Sequence, residues 1–398
     1  MKRREFLTAA AMLALIGGDA WAAKKKAPPK KKVAAPVRKK PSGPVAHTAE
    51  APVIDRPPQG SSASRLPPVK APEPPADWMS YEITTTLTPP KTRGVSRLWL
   101  PLPLNQDSLY QRTVGHRWSS NADSAGMRRL PDGNLELFFC EWKNGRDAKL
   151  ELTTTVSTAD RHFDVTRRTM APERDDILHR NLQASLLIPN DGPAHTLGER
   201  IVGRIKDPVA QVKAIYDWVI DNTIYNPELP AGSGGDVRKQ LAQGQYGGRS
   251  ADINGLFVAL CRAIGIPARC VYGLRVGSSR LFKSLGINDE NATNSQHCRA
   301  EFYVPGYGWI PVDPSDVRRA IAMEGLSDRD SKLGALKRVL FGVWEMNWIA
   351  LNVGSDLTLP GSLSHSRLPM FTVPRLENDD NGEAAPLQFA IKTKRVEI

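Results

Sequence analysis

Cysteine is scarce, with four in 398 residues. That excludes a disulfide-dense scaffold and an array of zinc sites. Long apolar runs are missing too. The one near the start, Phe6 to about Gly18, is short and alanine-rich. A bilayer span needs about 20 apolar residues, so a polytopic membrane protein is excluded. Glycine (31) and proline (32) are too frequent for a long coiled coil. What is present suffices for a packed core: 40% hydrophobic and 24% charged residues. At roughly 100–200 residues per domain the length corresponds to two or three domains.

The net charge of +12 suggests nucleic acid until it is divided along the chain. Residues 23–76 hold twelve basic and three acidic groups, whereas residues 77–398 hold 39 against 37. The basicity belongs to a tail, and no basic domain face for phosphates is implied. No nucleic-acid partner is expected.

Residues 1–22 read as an export signal. Lys2-Arg3-Arg4 is a positive n-region, and Ala20-Trp21-Ala22 is a small-x-small cleavage site. Arg3-Arg4-Glu5-Phe6-Leu7 resembles a bacterial twin-arginine signal, which implies a periplasmic or otherwise exported protein. No transmembrane span is expected in the mature chain. Residues 23–76 carry thirteen prolines among lysine and alanine. Such a segment cannot bury enough apolar surface to offset its ordering entropy, so a disordered tether is expected. Adhesion to an anionic envelope surface is one reading of its charge. A solvated spacer is the other, and the favoured one.

Residues 77–165 read as a β-rich domain. Tyr81 to Leu87, Val95 to Leu100, Leu135 to Trp142 and Ala148 to Val156 are strand-like, and Asn144-Gly145 between the last two signals a hairpin. A β-sandwich-like module follows from this pattern. His116 and His162 read as isolated surface histidines.

Helical periodicity takes over afterwards. Asp207-Pro208 opens a helix with Val212, Ile215, Tyr216, Val219 and Ile220 on one stripe. Trp218 lies off that stripe and is expected against the β domain. Residues 229–249 form a glycine-rich loop. No Lys-Ser/Thr pair follows in P-loop spacing, so a phosphate cradle is not indicated.

The informative stretch starts at Gly248-Arg249-Ser250-Ala251-Asp252 and runs through a stripe of Ile253, Leu256, Phe257, Leu260 and Ile264. Gly265-Ile266-Pro267-Ala268-Arg269 stops the helix. One strand follows from Cys270 and another over Gln296 to Val304, the latter carrying His297. Gly308-Trp309-Ile310-Pro311-Val312-Asp313-Pro314 closes the block.

These blocks resemble the transglutaminase-like superfamily, whose core is papain-like, over roughly residues 195–352. The resemblance implies an α+β fold: a papain-like transglutaminase core over 166–355, preceded by the β-sandwich-like module and the disordered basic N-terminal segment, and followed by an extension over 356–398 of one or two wrapping strands and a loose end. It implies action on amide bonds of peptides or proteins, by hydrolysis or acyl transfer, with no cofactor and no metal. His297 falls at the base and Asp313 at the group that orients it. The departure is Ser250, which stands where the family has its nucleophilic cysteine. A hydroxyl cannot form the resting thiolate–imidazolium pair, although a Ser-His-Asp set can act through general-base catalysis. Ser250 therefore has two readings, nucleophile or helix N-cap, and the protein two, enzyme or pseudoenzyme that binds a peptide or envelope ligand in the same cleft.

Secondary roles are expected nearby. Asp252 serves the helix N-terminus, Arg299 or Glu301 lines the cleft, and Tyr246 stands near an oxyanion hole. Cys261 and Cys298 do not replace the missing thiol, and Cys270 with Cys298 is a candidate disulfide in an oxidising compartment.

Overall fold

A computed structural model describes residues 75–398 apart from 91–93, 106–107, 131–134, 144–146, 164–169, 365–366 and 380–386. The signal and nearly all of the tether lie outside the described residues. Among the described residues no helix is long and apolar enough to cross a membrane.

The strands β1 (Met79–Leu87), β2 (Ser96–Pro101), β3 (Gln111–Ser120), β4 (Ser124–Leu130), β5 (Leu135–Trp142) and β6 (Leu150–Thr158) come first, then the short β7 (Arg161–His162). Helices α1 (Asp175–Arg180), α2 (Pro193–Val202) and α3 (Pro208–Asn222) follow. Next come β8 (Ile224–Tyr225), α4 (Val237–Gln243), β9 (Gly247–Gly248) and α5 (Ser250–Ala263). Then β10 (Ala268–Arg275), β11 (Gln296–Val304) and β12 (Gly308–Val312) precede α6 (Pro314–Glu324) and α7 (Ser331–Val339). The chain closes with β13 (Val343–Trp344), β14 (Trp348–Asn352), β15 (Arg375–Asn378) and β16 (Phe389–Val396).

Two four-stranded antiparallel sheets, ordered β16-β1-β6-β3 and β15-β2-β5-β4, form a sandwich. Alternate residues turn inward, as a half-buried strand requires. Leu98, Phe138 and Trp142 of one sheet meet Leu87, Leu150 and Leu152 of the other. The expected hairpin between β5 and β6 does not form. β5 pairs with β2 and β4, and β6 with β1 and β3, so the connection crosses between sheets. Both strands have apolar inward faces, which are buried by facing each other across the sandwich. Asn144-Gly145 itself lies outside the described residues.

The C-terminal segment is part of this module. β15 adds to β2 and β16 to β1, giving each sheet an edge strand. Ile391 of β16 packs with Ile83, Val156, Leu274 and Ile349, where the sandwich meets β10 and β14.

The second sheet system is antiparallel, ordered β12-β11-β10-β14, with helices gathered against it. This is an α+β arrangement. At its centre α5 is buried from Ala251 to Ala263. A helix apolar nearly all round has to be a core helix, and Leu256, Phe257 and Leu260 pack with Val212, Ile215 and Phe302. Asp207 caps α3 by accepting from the Ala210 N–H at 2.8 Å, with Pro208 in the first turn. Trp218 packs edge-on against Tyr246 at 5.5 Å instead of reaching the sandwich.

Ile391→Ala should cost about 2–4 kcal/mol of stability, because it opens a cavity where the two sheet systems join. Guanidinium unfolding measures this. A loss below about 0.5 kcal/mol, the scale of a surface change, would separate β16 from the core.

Candidate active site

The first turn of α5 is the organising feature. Arg249 is its N-cap and Ser250 its first helical residue. Ser250 is thus not the cap. Asp252 does that work: one carboxylate oxygen accepts from the Arg249 N–H at 2.8 Å and the other from the Gly235 N–H at 2.7 Å. The Gln240 side chain of α4 reaches the Asp252 carbonyl at 3.2 Å. The glycine-rich loop, which contains α4, is therefore pinned to the helix start. It has to be glycine there. A Cβ on Gly234 would lie 2.1 Å from an Asp252 carboxylate oxygen, and its φ of +88° disfavours any side chain. Burial raises the Asp252 pKa, against the pull of the Gly235 and Arg249 N–H groups.

With the cap supplied by Asp252, the Ser250 hydroxyl is turned elsewhere. Its oxygen accepts from the Cys298 N–H at 3.0 Å. Cys298 follows His297 on β11, so this bond ties the helix start to the histidine strand. The Trp348 indole fixes the same strand by donating to the His297 carbonyl at 3.0 Å.

His297 Nε2 lies 2.7 Å from Asp313 Oδ2, both residues being buried. An ionised carboxylate only accepts, so Nε2 carries the proton and Nδ1 keeps a free lone pair. Asp313 is held from several sides. Its other oxygen accepts from Asn254 Nδ2 at 3.1 Å, Ser315 Oγ at 2.8 Å and the Asp316 N–H at 3.1 Å. The last bond makes Asp313 the N-cap of α6, with Pro314 first in the helix. Arg299 Nε stands 3.5 Å from Oδ2.

Electrostatics set both protonation states. Burial pushes the His297 pKa down and the Arg275 charge adds to it, outweighing the lift from Asp316 and Asp313. Burial opposes ionisation of Asp313, but His297, Arg299 and Asn254 more than reverse it and hold its pKa well below the usual range. At neutral pH the pair is a neutral imidazole on a carboxylate, the form required of a general base.

Ser250 and His297 line one cavity of about 130 Å³ with Tyr225, Arg249 and Arg319. Among the described residues no hydrogen bond joins Ser250 to His297. His297, Asp313 and Asp316 also place three ligand atoms within 4.8 Å of one another. They do not fit a cation: Asp316 is paired with the buried Arg275 at 2.5 Å, and Arg299 adds a second guanidinium beside Asp313.

Comparison with known proteins agrees with this architecture. The family model for the transglutaminase-like superfamily matches residues 195–314, a span that contains Ser250, His297 and Asp313. A Haemophilus influenzae protein, described as uncharacterized, is 32% identical over 299 residues, or 70% of this chain and 80% of its own. The chain belongs to the transglutaminase-like superfamily. Its fold is also similar to a candidate cysteine protease from Cytophaga hutchinsonii, with TM-score 0.46 and 17% identity over 76% of this chain and 99% of that one. The periplasmic domain of TgpA from Pseudomonas aeruginosa is similar at TM-score 0.32 and 17% identity, covering 61% and 92%.

Within this transglutaminase-like core several sequence expectations need correcting. Tyr246 packs on Trp218 and does not line the cavity; Tyr225 does. Neither Arg299 nor Glu301 lines it. Arg299 braces Asp313 from behind, and Glu301 is engaged by Arg161 and Arg269, each at 2.5 Å. All four cysteines are free and buried. On the paired strands Cys270 faces Ala300 while Cys298 faces Tyr272. The two share a face of the sheet and their thiols interact with each other, unbridged. His162 is exposed, and His116 is half-buried against Thr154; neither lines the cavity. Asn254 went unnoticed in the sequence. Its signal is a polar residue four positions after Ser250, hence on the same face of an otherwise apolar helix. Tyr225, Arg275 and Arg319 carry no motif and are brought in by the fold alone.

The His297 ring should titrate below the ordinary value of about 6.5 when followed by NMR. The sign for stability follows by linkage. The unfolded chain takes up this proton first, so stability falls as pH drops from about 6.5 towards the lower folded pKa. Depression of the Asp313 pKa adds a further loss at more acid pH. His297→Gln should abolish the first step in urea midpoints measured against pH; an unchanged step would mean that His297 is not the group responsible.

Proposed function

We propose that this protein acts on amide bonds of peptides or proteins through an acyl-enzyme on Ser250. In this reading His297 Nδ1 takes the hydroxyl proton as Oγ bonds to the carbonyl carbon. The resulting oxyanion faces the N-terminus of α5, whose first-turn N–H groups carry positive potential. Collapse breaks the C–N bond, and His297 returns the proton to the leaving amine. Water or an amine then takes the acyl group, with His297 again as base. Asp313 keeps the imidazole in the required tautomer and stabilises its cation. The supporting observation is the buried 2.7 Å His297–Asp313 pair opening onto the cavity that Ser250 also lines.

The second reading, a pseudoenzyme that binds a peptide or envelope ligand, draws on one feature. The Ser250 oxygen bonds the Cys298 N–H and makes no hydrogen bond to His297 among the described residues. Alkylation of the Ser250→Cys variant against pH separates the two. A poised site should give a thiol pKa well below the ordinary value of about 8.5, returning towards it in His297→Ala. An ordinary thiol, indifferent to His297, would favour binding without turnover.

We further propose that the protein is exported through the twin-arginine-like Arg3-Arg4 pair and works in the periplasm or beyond, held off by a solvated tether. Arg3-Arg4→Lys-Lys should block the appearance of mature protein in a periplasmic fraction. Undiminished export would rule out the twin-arginine route.

A further inference from the structure

The cavity beside Ser250 is electrically one-sided. Three arginines line it, Arg249, Arg275 and Arg319, and among the described residues no acidic side chain does. Arg275 is spent on Asp316 and on the Leu285 carbonyl. The other two are not. Arg249 Nη1 donates to the Tyr225 hydroxyl at 2.6 Å, and Arg319 Nη1 donates to the same oxygen. Arg319 Nε goes to the Ser284 carbonyl at 2.6 Å. Arg249 Nε is buried with no hydrogen-bond partner. Among the described residues neither guanidinium has a carboxylate in ion-pair range. Two cations, each with five N–H donors, thus converge on one buried phenol oxygen, which has at most two lone pairs. Burial lowers the Arg319 pKa and the charge of Arg275 lowers it further, only partly offset by Tyr225 and Asp316. The N-terminus of α5 adds potential of the same sign.

We propose that this pocket recognises a carboxylate on the peptide substrate, close to the bond presented to Ser250. The chemistry fits the walls. A guanidinium fork binds a carboxylate in bidentate fashion, and the unpartnered Arg249 donor would gain an acceptor. Asn291, Asn294 and Gln296 supply neutral polar wall. The volume of about 130 Å³ is well above the roughly 10–15 Å³ that a single water needs, room for a carboxylate and a short stem. Arg249 directly precedes Ser250, and Arg319 lies on α6, the helix that Asp313 caps. Charge recognition is therefore built from the start of α5 and the body of α6, the two helices that also position the candidate catalytic group and its support. The carboxylate is either the α-carboxylate of a chain end or an acidic side chain. This inference rests on reading the cavity as the substrate site and adds the class of substrate.

Calorimetric binding to the full-length Ser250→Ala protein, which cannot form an acyl-enzyme on that residue, tests it without turnover. The probes are N-acetyl-trialanine with a free carboxylate, its C-terminal amide, and N-acetylalanyl-glutamyl-alanine amide. At low salt at least one carboxylate peptide should bind about tenfold tighter than the neutral amide, as expected for charged hydrogen bonds. Tightest binding of the first probe assigns a chain end, and of the third an acidic side chain. Adding Arg319→Gln or, separately, Arg249→Gln should remove most of that preference while leaving the melting transition cooperative. Equal binding of acid and amide, no binding of any probe up to about 10 mM, or a preference that survives both arginine changes overturns the proposal. Carboxylate preference here with an ordinary thiol in Ser250→Cys would leave the pocket standing and remove the acyl-enzyme. A poised thiol with no carboxylate preference would do the reverse.

Discussion

The buried Asp313 carboxylate is the constraint around which the core is arranged. An unpaired charge at that depth would cost several kcal/mol, so the chain has to surround it with donors. It does so from separate elements: His297 and Arg299 from β11, Asn254 from α5, and Ser315 and the Asp316 N–H from α6. Satisfying one anion thereby fixes where three elements meet. The same contacts settle the imidazole tautomer and hold Asp313 ionised. Stability and the chemistry of the site are set by one desolvation problem.

Asp252 solves a parallel problem at the other end of the site. Its carboxylate caps α5 and anchors the glycine-rich loop, which frees Ser250 from capping duty. The division of labour is physical. Helix starts leave unsatisfied N–H groups, and the residue three positions on has the reach to serve the N-cap N–H. Ser250 is thus left facing the cavity with its oxygen held by the histidine strand.

Legibility followed sequence distance. The apolar stripe of α5, the stop at Gly265-Ile266-Pro267, and the bounds of β11 and β12 could all be read from local periodicity and turn residues. His297 and Asp313 were singled out by the resemblance of these blocks to the transglutaminase-like superfamily, and the fold brings the two side chains together. What failed depended on partners far away in the chain. β5 and β6 look like hairpin arms, yet burial of their inward faces sends them to opposite sheets. Asn254 is separated by 59 residues from the carboxylate it bonds, and Tyr225 by 94 from Arg319. No local pattern encodes those meetings. Tyr246 was the wrong aromatic for the same reason: nearness in sequence to Ser250 does not bring it to the cavity, whereas the pairing of β8 with β9 brings Tyr225 there.

The pairing of β16 with β1 has a consequence for the order of assembly. Ser80 lies opposite Val396, so the first strand of the sandwich is completed by a segment that follows the whole transglutaminase-like core in the chain. Until that segment is available, β1 keeps an open edge of unpaired backbone groups, and part of the apolar seam against β10 and β14 stays uncovered. The ribosome has by then delivered the whole transglutaminase-like core. The sandwich is therefore a latch across the core: the sheet that buttresses the dyad closes only once the segment beyond the core is available. A chain lacking β16 would present an adhesive strand edge, which makes that segment a condition for staying unaggregated.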